Sequence, residues 1–361
     1  MTVTKRTGRP TTPWSWYSDP AILESELQRI FLCSWQYAGH LGELQGPGSY
    51  FASATGPIPI VITLDANGTL RGFVNVCRHR GAILAEDASK RGTIQCPYHA
   101  WTYGLDGCLR AAPRAGDDPG FDASRVKLLA VSVGTWGPFV FANPDPHAEP
   151  LRDSLGDLPE VIAEHGLDVE SLRFNQRAHY EIRANWKIAV ENYLECYHCQ
   201  LNHPALVQVI DERRLELRAG GLRTSQFAPI DQRSLDGRGP IDARGGLPSA
   251  QFHLLFPSLK FNVLPGPANL SIGPLWPTSP VTCAGYLDYW FADGADQQWI
   301  DELFALDAEI GAEDTALVEA VQRGTSGGMI DRGWALGGTE PLISYFQDYV
   351  RERLGLDNDS G

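Results

Sequence analysis

Four side chains that commonly bind metal occur in two short groups in the first third of the chain. Cys77 and His79 lie in the sequence Cys-Arg-His-Arg-Gly, and Cys96 and His99 lie in Cys-Pro-Tyr-His-Ala-Trp. Each group follows a run of β-type residues, so the sequence places two thiolates and two imidazoles at the tips of two loops. Thiolate and imidazole are the ligands that proteins use for zinc and iron. The four residues therefore predict a metal site.

The distribution of the four ligands separates two kinds of metal site. A tetrahedral zinc site usually takes both cysteines from one pair and both histidines from the other. Here each pair supplies one cysteine and one histidine, as is required when two irons of one cluster are ligated differently. In a Rieske [2Fe–2S] centre, Cys77 and Cys96 would hold one iron, and His79 and His99 would hold the other. We favour the Rieske cluster, with zinc as the alternative.

A second pair of histidines, His198 and His203, follows a helical pattern at residues 186–200. Five residues of a regular α-helix turn through ~500°, which leaves two imidazoles about 140° apart and unable to share one metal. We therefore expect the helix to loosen or break between them, assisted by Pro204. Two histidines and one carboxylate on one face of Fe(II) leave positions open for O2.

The carboxylate is expected on a long amphipathic helix predicted from about residue 296 to 324. Asp314 interrupts the apolar stripe of this helix, and a carboxylate there is costly unless a metal or a charged partner compensates. We therefore predict Asp314 as the third iron ligand, with Asp307 and Glu313 as alternatives. The predicted stripe consists of Leu303, Ile310, Leu317 and Val321.

Both groups resemble segments of one protein family. The Cys-x-His-x16-Cys-x2-His motif, with Arg-Gly after its first pair and Trp two residues beyond its second, resembles the Rieske domain of ring-hydroxylating (Rieske non-haem iron) oxygenases. Residues 191–204 resemble the Glu-Asn-Tyr-x-Glu-x-Tyr-His-x4-His-Pro segment of their alpha subunits. The resemblance extends over about residues 14–350. It implies that His198, His203 and Asp314 hold a mononuclear Fe(II).

The resemblance also implies how electrons reach this iron. Glu195 matches an acidic residue that, in the family, links the mononuclear iron to a Rieske histidine of a neighbouring subunit; many members have Asp there. A homotrimer is implied, in which electrons cross between subunits. The sequence has no Gly-x-Gly-x2-Gly fingerprint of a dinucleotide site, so we expect a separate reductase or ferredoxin to supply the electrons.

A chain with both sites is expected to be a terminal oxygenase that uses O2 to oxidise a small organic substrate. The sequence around Glu195 resembles that of the family branch that oxidises quaternary amines such as betaines by N-demethylation. Ring hydroxylation of an aromatic compound is the alternative, and a non-enzymatic Rieske electron carrier, without the mononuclear iron, is a remote one. Four aromatic residues are candidates for a cage around a cation, with ordinary sheet core as their alternative. They are Trp276, Tyr286, Tyr289 and Trp290.

The elements that must position these residues follow two patterns. Short β-type runs with Gly, Pro and Asn-Gly or Asp-Gly turns fill residues 35–145 and predict an antiparallel all-β unit. Mixed helix and strand patterns follow, so the fold class is α+β: an N-terminal arm and Rieske domain at 1–147, then a catalytic domain at 148–361 that the resemblance implies is a helix-grip fold. Residues 218–250 are predicted to be a loop or lid. The other predicted elements of this domain are helices at 151–166 and 186–200 and strands at 174–184, 252–256, 259–264, 268–274 and 282–291.

Composition narrows the possible partners and location. Among 361 residues, 30 Lys and Arg stand against 44 Asp and Glu, a net charge of −14 that disfavours binding to nucleic acid or to anionic membranes. The sequence has no stretch typical of a signal peptide or membrane span, which predicts a cytoplasmic protein. Seven cysteines are too few for a disulfide scaffold, and we expect them to be thiols or metal ligands.

Overall fold

The computed structural model describes residues 7–356 and divides into two compact units. One unit comprises Phe31–Ser154, and the other comprises the described residues before and after it. The predicted domains, 1–147 and 148–361, assign the N-terminal arm differently, because residues 7–30 belong to the second unit. The predicted boundary at residue 147 itself stays a prediction. No helix among the described residues is both long and apolar enough to cross a membrane.

The N-terminal arm contains β1 (Arg9–Pro10) and α1 (Pro20–Arg29). Asp19 caps α1 by accepting a hydrogen bond from the Ala21 N–H. Glu26 of α1 is fully buried, forms an ion pair with the buried Lys187 ammonium and accepts a hydrogen bond from Trp186 Nε1 at 2.7 Å. A buried charge is tolerated only with such partners, so this contact explains why the arm belongs to the second unit.

We expect Glu26→Ala to lower the free energy of unfolding by about 3–5 kcal/mol, because it leaves the Lys187 ammonium buried without its partner. Urea unfolding of the two proteins would measure the difference. Glu24→Ala, an exposed change on the same helix, is the matched control and should stay within about 0.5 kcal/mol of wild type. Equal effects of the two substitutions would contradict the assigned role of Glu26.

The unit Phe31–Ser154 is built from antiparallel strands, as predicted. A six-stranded sheet has the order β2-β10-β9-β5-β4-β3, and a three-stranded sheet has the order β6-β7-β8. The elements are β2 (Gln36–His40), β3 (Ser49–Thr55), β4 (Ile58–Leu64), β5 (Leu70–Val74), β6 (Thr93–Gln95), β7 (Thr102–Gly104), β8 (Leu109–Ala111), β9 (Ala130–Trp136), β10 (Phe139–Asn143) and α2 (Leu151–Leu155), which ends at the boundary.

The rest of the second unit is α+β, also as predicted. Its antiparallel sheet of seven strands has the order β11-β17-β16-β15-β14-β13-β12, and β1 pairs with β18. The elements are α3 (Leu158–Glu164), β11 (Leu172–Ile182), α4 (Trp186–Tyr193), α5 (Cys199–Asn202), β12 (Glu216–Gly220), β13 (Arg223–Pro229), α6 (Gln232–Leu235), β14 (Ser249–Leu255), β15 (Leu259–Val263), β16 (Asn269–Ser279), β17 (Thr282–Ala292), α7 (Gln297–Thr325), β18 (Trp334–Ala335) and α8 (Pro341–Leu354).

Two sequence-based expectations about these elements are wrong. Residues 218–250 are not one loop, because β12 and β13 form a hairpin at the edge of the sheet. The strand β13 was missed because its residues Thr224, Ser225 and Gln226 are polar, which is typical of a loop, although all three are buried in the structure. The predicted helix at 151–166 is two helices, which are separated at Gly156, where φ is +56°.

Helix α7 follows its prediction closely at both ends. The Asp296 side chain caps it by accepting a hydrogen bond from the Trp299 N–H at 3.0 Å. Asp314 lies four residues after Ile310 on one helix face, as predicted, and four residues before Val318, a buried residue that the predicted stripe did not include. The predicted stripe is wrong at one position, because Val321 is 48% exposed.

Candidate active site

The two Cys/His loops of the first unit have the same backbone geometry. Each loop follows a strand: Cys77 lies three residues after the end of β5, and Cys96 lies directly after β6. The Gly81 N–H donates to the Cys77 carbonyl at 3.0 Å, and the Ala100 N–H donates to the Cys96 carbonyl at 3.1 Å. Gly81 and Ala100 both adopt left-handed backbone, with φ of 76° and 59°. The two loops therefore turn in the same way and present their ligands alike.

The two cysteines and the two histidines of this group differ in burial. Cys77 and Cys96 are each only 3% exposed, whereas His79 and His99 are exposed, with ring centroids 4.8 Å apart. Among the described residues, the ligand atoms of these four side chains do not all lie within 4.8 Å of one another. The four ligands of a single zinc ion would lie closer together, so this spacing disfavours a zinc site. An inner pair of sulfurs and an outer pair of imidazoles fits a Rieske cluster with two differently ligated irons.

Tyr103 lies beside one of the sulfurs. Its hydroxyl is 3.4 Å from Cys77 Sγ and accepts a hydrogen bond from the Arg78 N–H at 3.1 Å. Burial, together with the adjacent Cys77 thiol, raises the pKa of Tyr103. The hydroxyl therefore keeps its proton and can donate to a cluster-bound thiolate, which is one of the interactions that set a cluster's reduction potential.

In the second unit, the helical run that leads to His198 and His203 is interrupted. Helix α4 ends at Tyr193, and α5 is a single turn that separates the two histidines. The helix breaks before His198, and α5 then ends at Asn202, between the two histidines and just before Pro204, as predicted; His203 has non-helical backbone, with φ −119° and ψ 67°. The Nε2 atoms of His198 and His203 therefore come to within 3.0 Å of each other, which a continuous helix could not achieve.

Cys196 and Cys199 form a disulfide across this break. The expectation that all seven cysteines are thiols or metal ligands is wrong at these two positions. Cys199 Sγ lies within 4.8 Å of ligand atoms of both histidines. However, a sulfur in a disulfide is not a thiolate, which is the form that binds metal.

Asp314 faces the two imidazoles from α7. Its Oδ1 atom lies 3.1 Å from His203 Nε2 and 3.4 Å from His198 Nε2, and it accepts a hydrogen bond from Asn192 Nδ2 at 2.7 Å. The two alternative carboxylates lie elsewhere. Asp307 accepts a hydrogen bond from the Tyr289 hydroxyl, and Glu313 contacts the other ring nitrogen of His203. The structure thus brings together the three side chains predicted as iron ligands, His198, His203 and Asp314.

Each histidine of this group has its own glutamate. The Nδ1 of His198 is hydrogen-bonded to Glu195, and the Nδ1 of His203 is hydrogen-bonded to Glu313 at 2.7 Å. A carboxylate at Nδ1 keeps the proton there and leaves Nε2 free as a metal ligand. The sequence did not predict this positioning contact of Glu313. Its one signal was the placement of Glu313 directly before Asp314.

The charges of this cluster reinforce one another. Burial lowers the pKa of His198, but Asp314 and Glu195 outweigh burial and raise it to about 9. Burial raises the pKa of Asp314, but hydrogen bonds from His198, His203 and Asn192 outweigh burial and hold it well below its usual range. The site is therefore rich in negative charge, and a divalent cation would replace the protons of the imidazoles. Two imidazole nitrogens and one carboxylate oxygen fit the ligand set of Fe(II).

A cavity of about 790 Å³ adjoins the cluster, and His198, His203 and Asp314 lie in its wall. The remaining wall is mainly apolar and aromatic, with Glu195, Lys260 and Asp307 as further charged residues. The aromatic residues that line it are Tyr180, Tyr193, Phe252, Tyr289, Phe291 and Phe304.

Of the four predicted cage residues, Tyr289 alone lines this cavity. Side chains alternate between the two faces of a strand, so Tyr286 and Trp290 of β17 point away from the face that carries Tyr289. Their ring contacts are with other residues of that opposite face: Tyr286 contacts Trp276 at 5.9 Å, and Trp290 contacts Phe174 at 5.6 Å. These three aromatic residues are therefore sheet core, the alternative that the sequence left open.

Comparison with known families agrees with the two units. Residues 34–128 match the Rieske [2Fe-2S] domain, and residues 169–356 match the ring hydroxylating alpha subunit (catalytic domain). The chain is 31% identical to the carnitine monooxygenase oxygenase subunit of Acinetobacter pittii, covering 95% of this chain and 94% of that one. It is 30% identical to the chloroplastic choline monooxygenase of Spinacia oleracea, covering 95% of this chain and 78% of that one.

Solved structures show the same relationship. A quaternary ammonium Rieske monooxygenase in complex with L-carnitine superposes with a TM-score of 0.83 at 28% identity, covering 98% of this chain and 99% of that one. Naphthalene 1,2-dioxygenase of Rhodococcus sp. shares the fold, with a TM-score of 0.77 at 20% identity, covering 97% of this chain and 95% of that one. The chain therefore belongs to the ring-hydroxylating alpha-subunit family of Rieske oxygenases, enzymes that combine a Rieske [2Fe-2S] cluster with a mononuclear iron.

Proposed function

We propose that this oxygenase acts on a quaternary amine. The observation that carries the proposal is a group of three packed aromatic rings and one carboxylate that line the cavity, which we call the ammonium box: Tyr289, Phe291, Phe304 and Asp307. The ring of Phe304 lies 4.9 Å from that of Tyr289 and 5.8 Å from that of Phe291, and the Tyr289 hydroxyl donates to Asp307.

The chemistry of the ammonium box suits a cation that has no N–H group. A quaternary ammonium cannot donate hydrogen bonds, so proteins hold it with the faces of aromatic rings and with negative charge. Relatives support this choice, since two of them are named for choline and carnitine, which are both quaternary amines. N-demethylation remains the predicted outcome of the oxidation.

The residue roles follow from the same geometry. Cys77, Cys96, His79 and His99 would hold the Rieske cluster. His198, His203 and Asp314 would hold the mononuclear iron, which supplies O2 activation when bound. Glu195 and Glu313 would keep the two imidazoles in the tautomer that presents Nε2.

The path of the electrons is also part of the proposal. Glu195 would link His198 to a Rieske histidine of a neighbouring subunit in a homotrimer, and a separate reductase or ferredoxin would supply the electrons. A related structure is described in terms of inter-subunit electron transfer, which supports this part. The trimer, the electron donor and the cytoplasmic location stay predictions.

The alternative substrates fit the cavity less well. An uncharged aromatic substrate would leave the carboxylate of Asp307 and the ammonium of Lys260 facing an apolar ligand, which is unfavourable. The electron-carrier alternative does not account for the oxygenase catalytic domain. The charged residues of the wall therefore favour a charged substrate.

We expect Asp307→Asn to lower kcat/KM for quaternary amines by roughly 10- to 100-fold, mainly through KM, because a charged contact is lost. Oxygen uptake and amine consumption with a surrogate reductase would measure this. Asp301→Asn, an exposed change on the same helix, is the control and should leave both quantities unchanged. The proposal would be wrong if the wild-type enzyme consumed aromatic acids and no quaternary amine.

A further inference from the structure

The cavity wall also carries a positively charged side chain, Lys260. Lys260 extends from β15 into the cavity, with Nζ 5.0 Å from the ring centroid of Tyr180 and 5.5 Å from that of Tyr193. Among residues 7–356, no carboxylate oxygen lies within 4.0 Å of this ammonium. The cavity wall therefore carries a cation without an ion-pair partner.

This ammonium keeps its charge. Burial acts to lower the pKa of Lys260, but Tyr180, Asp307 and Asp314 outweigh burial and raise it. Neutralisation at ordinary pH therefore does not relieve the cost of a partly buried, unpaired charge. A ligand with a negative group would relieve that cost.

Two neighbouring amide side chains do not compete for such a ligand group. The Asn262 amide donates to Ser271 Oγ at 3.0 Å and accepts from the Tyr193 hydroxyl at 2.7 Å. The Gln226 amide donates to the Tyr193 carbonyl at 2.7 Å. Since the protein already engages these amides, two polar groups of this part of the wall remain to be matched: the ammonium of Lys260 and the buried hydroxyl of Tyr180, which has no hydrogen-bond partner among the described residues. Of the two, only Lys260 carries a charge.

We infer that Lys260 binds a carboxylate, and that the substrate is a zwitterionic betaine with a quaternary ammonium at one end and a carboxylate at the other. This inference rests on the proposed function. The ammonium box takes the positive end, and Lys260 takes the negative end. A single ligand would then match both Asp307 and Lys260 with an opposite charge.

The inference separates two substrate types that the relatives leave open. Carnitine and γ-butyrobetaine carry a carboxylate, whereas choline carries a hydroxyl and a single positive charge. Choline would place its charge in the ammonium box beside Asp307, but it would leave the ammonium of Lys260 without an anion and would add a second cation to the cavity. The cavity of this chain therefore favours a betaine over choline.

Titration calorimetry on the anaerobic holoenzyme tests the assignment with three probes: γ-butyrobetaine, its methyl ester and choline. The ester keeps the quaternary ammonium and removes the negative charge. We expect wild type to bind γ-butyrobetaine roughly 10- to 100-fold more tightly than the ester, as expected for one charged hydrogen bond. Lys260→Met should abolish that preference without weakening ester binding, and Lys260→Arg should retain it.

The possible failures of this experiment can be told apart. The Rieske spectrum and the iron content of each variant show whether it is folded and loaded, and Lys260→Gln serves as a polar replacement if Lys260→Met is not. Equal wild-type affinity for γ-butyrobetaine and its ester would overturn the role of Lys260 while leaving the quaternary-amine proposal intact. If Lys260→Met weakened the binding of all three probes equally, the assigned role of Lys260 would also be overturned. If wild type binds none of the three, the proposed function itself fails, and the inference fails with it.

Discussion

Replacing Asp314 with alanine is expected to remove the mononuclear iron and abolish turnover, while the Rieske cluster and its spectrum remain. Asp314 is the carboxylate that faces the Nε2 atoms of both His198 and His203, at 3.4 and 3.1 Å. Without it, two imidazoles alone would have to hold the metal. The cluster ligands lie in the other unit, so they are unaffected.

Iron and acid-labile sulfide per chain would measure this result directly. Asp307→Asn is the matched control, because Asp307 lines the same cavity from the same helix but contacts Tyr289 instead of the histidines. That variant should keep all of its iron. Full retention of the mononuclear iron in Asp314→Ala would instead assign the third ligand to Glu313 or Asp307.

Replacing Glu195 with glutamine is expected to slow electron transfer from the reduced cluster to the mononuclear site by roughly 10- to 100-fold. Glutamine preserves the shape of the side chain but removes the negative charge beside Nδ1 of His198. Iron content and substrate affinity should remain. Rapid-mixing measurement of cluster reoxidation, after pre-reduction and with substrate and O2 present, would show the slower step.

Glu313→Gln is the control that separates two roles of Glu195. Glu313 makes the same contact with His203 that Glu195 makes with His198. If Glu195 only orients its imidazole, the two substitutions should slow reoxidation equally. If Glu195 also carries the electron path between subunits, Glu195→Gln should slow reoxidation more than Glu313→Gln does. Reoxidation at the wild-type rate in Glu195→Gln would leave that residue without the proposed role.

Much of the fold was predictable because its signals are local. β-type runs in the sequence predicted that Cys77 and Cys96 follow strands, and the cap at Asp296 predicted the start of α7. The errors occurred where local signals mislead. The edge hairpin of β12 and β13 contains buried Thr, Ser and Gln residues, which resemble a loop in sequence but pair as a strand in the sheet.

The sequence by itself determined which atoms can bind metal, since residue type and spacing set the donors: Cys77, His79, Cys96, His99, His198 and His203. Asp314 also followed from the sequence, because a carboxylate in an apolar helix stripe requires a compensating partner. These inferences depend on chemistry and on residues close together in the chain, so tertiary contacts were not needed to make them.

The tertiary structure alone decided which residues line the cavity beside the histidines. Tyr289 and Trp290 are adjacent in sequence, yet sheet alternation directs Tyr289 into the cavity and Trp290 away from it. Lys260, Asp307 and Glu313 contact side chains that are not their neighbours in the chain, because strand pairing and the packing of α7 bring those side chains together. Long-range packing determines the direction of each side chain, and spacing along the chain does not contain that information.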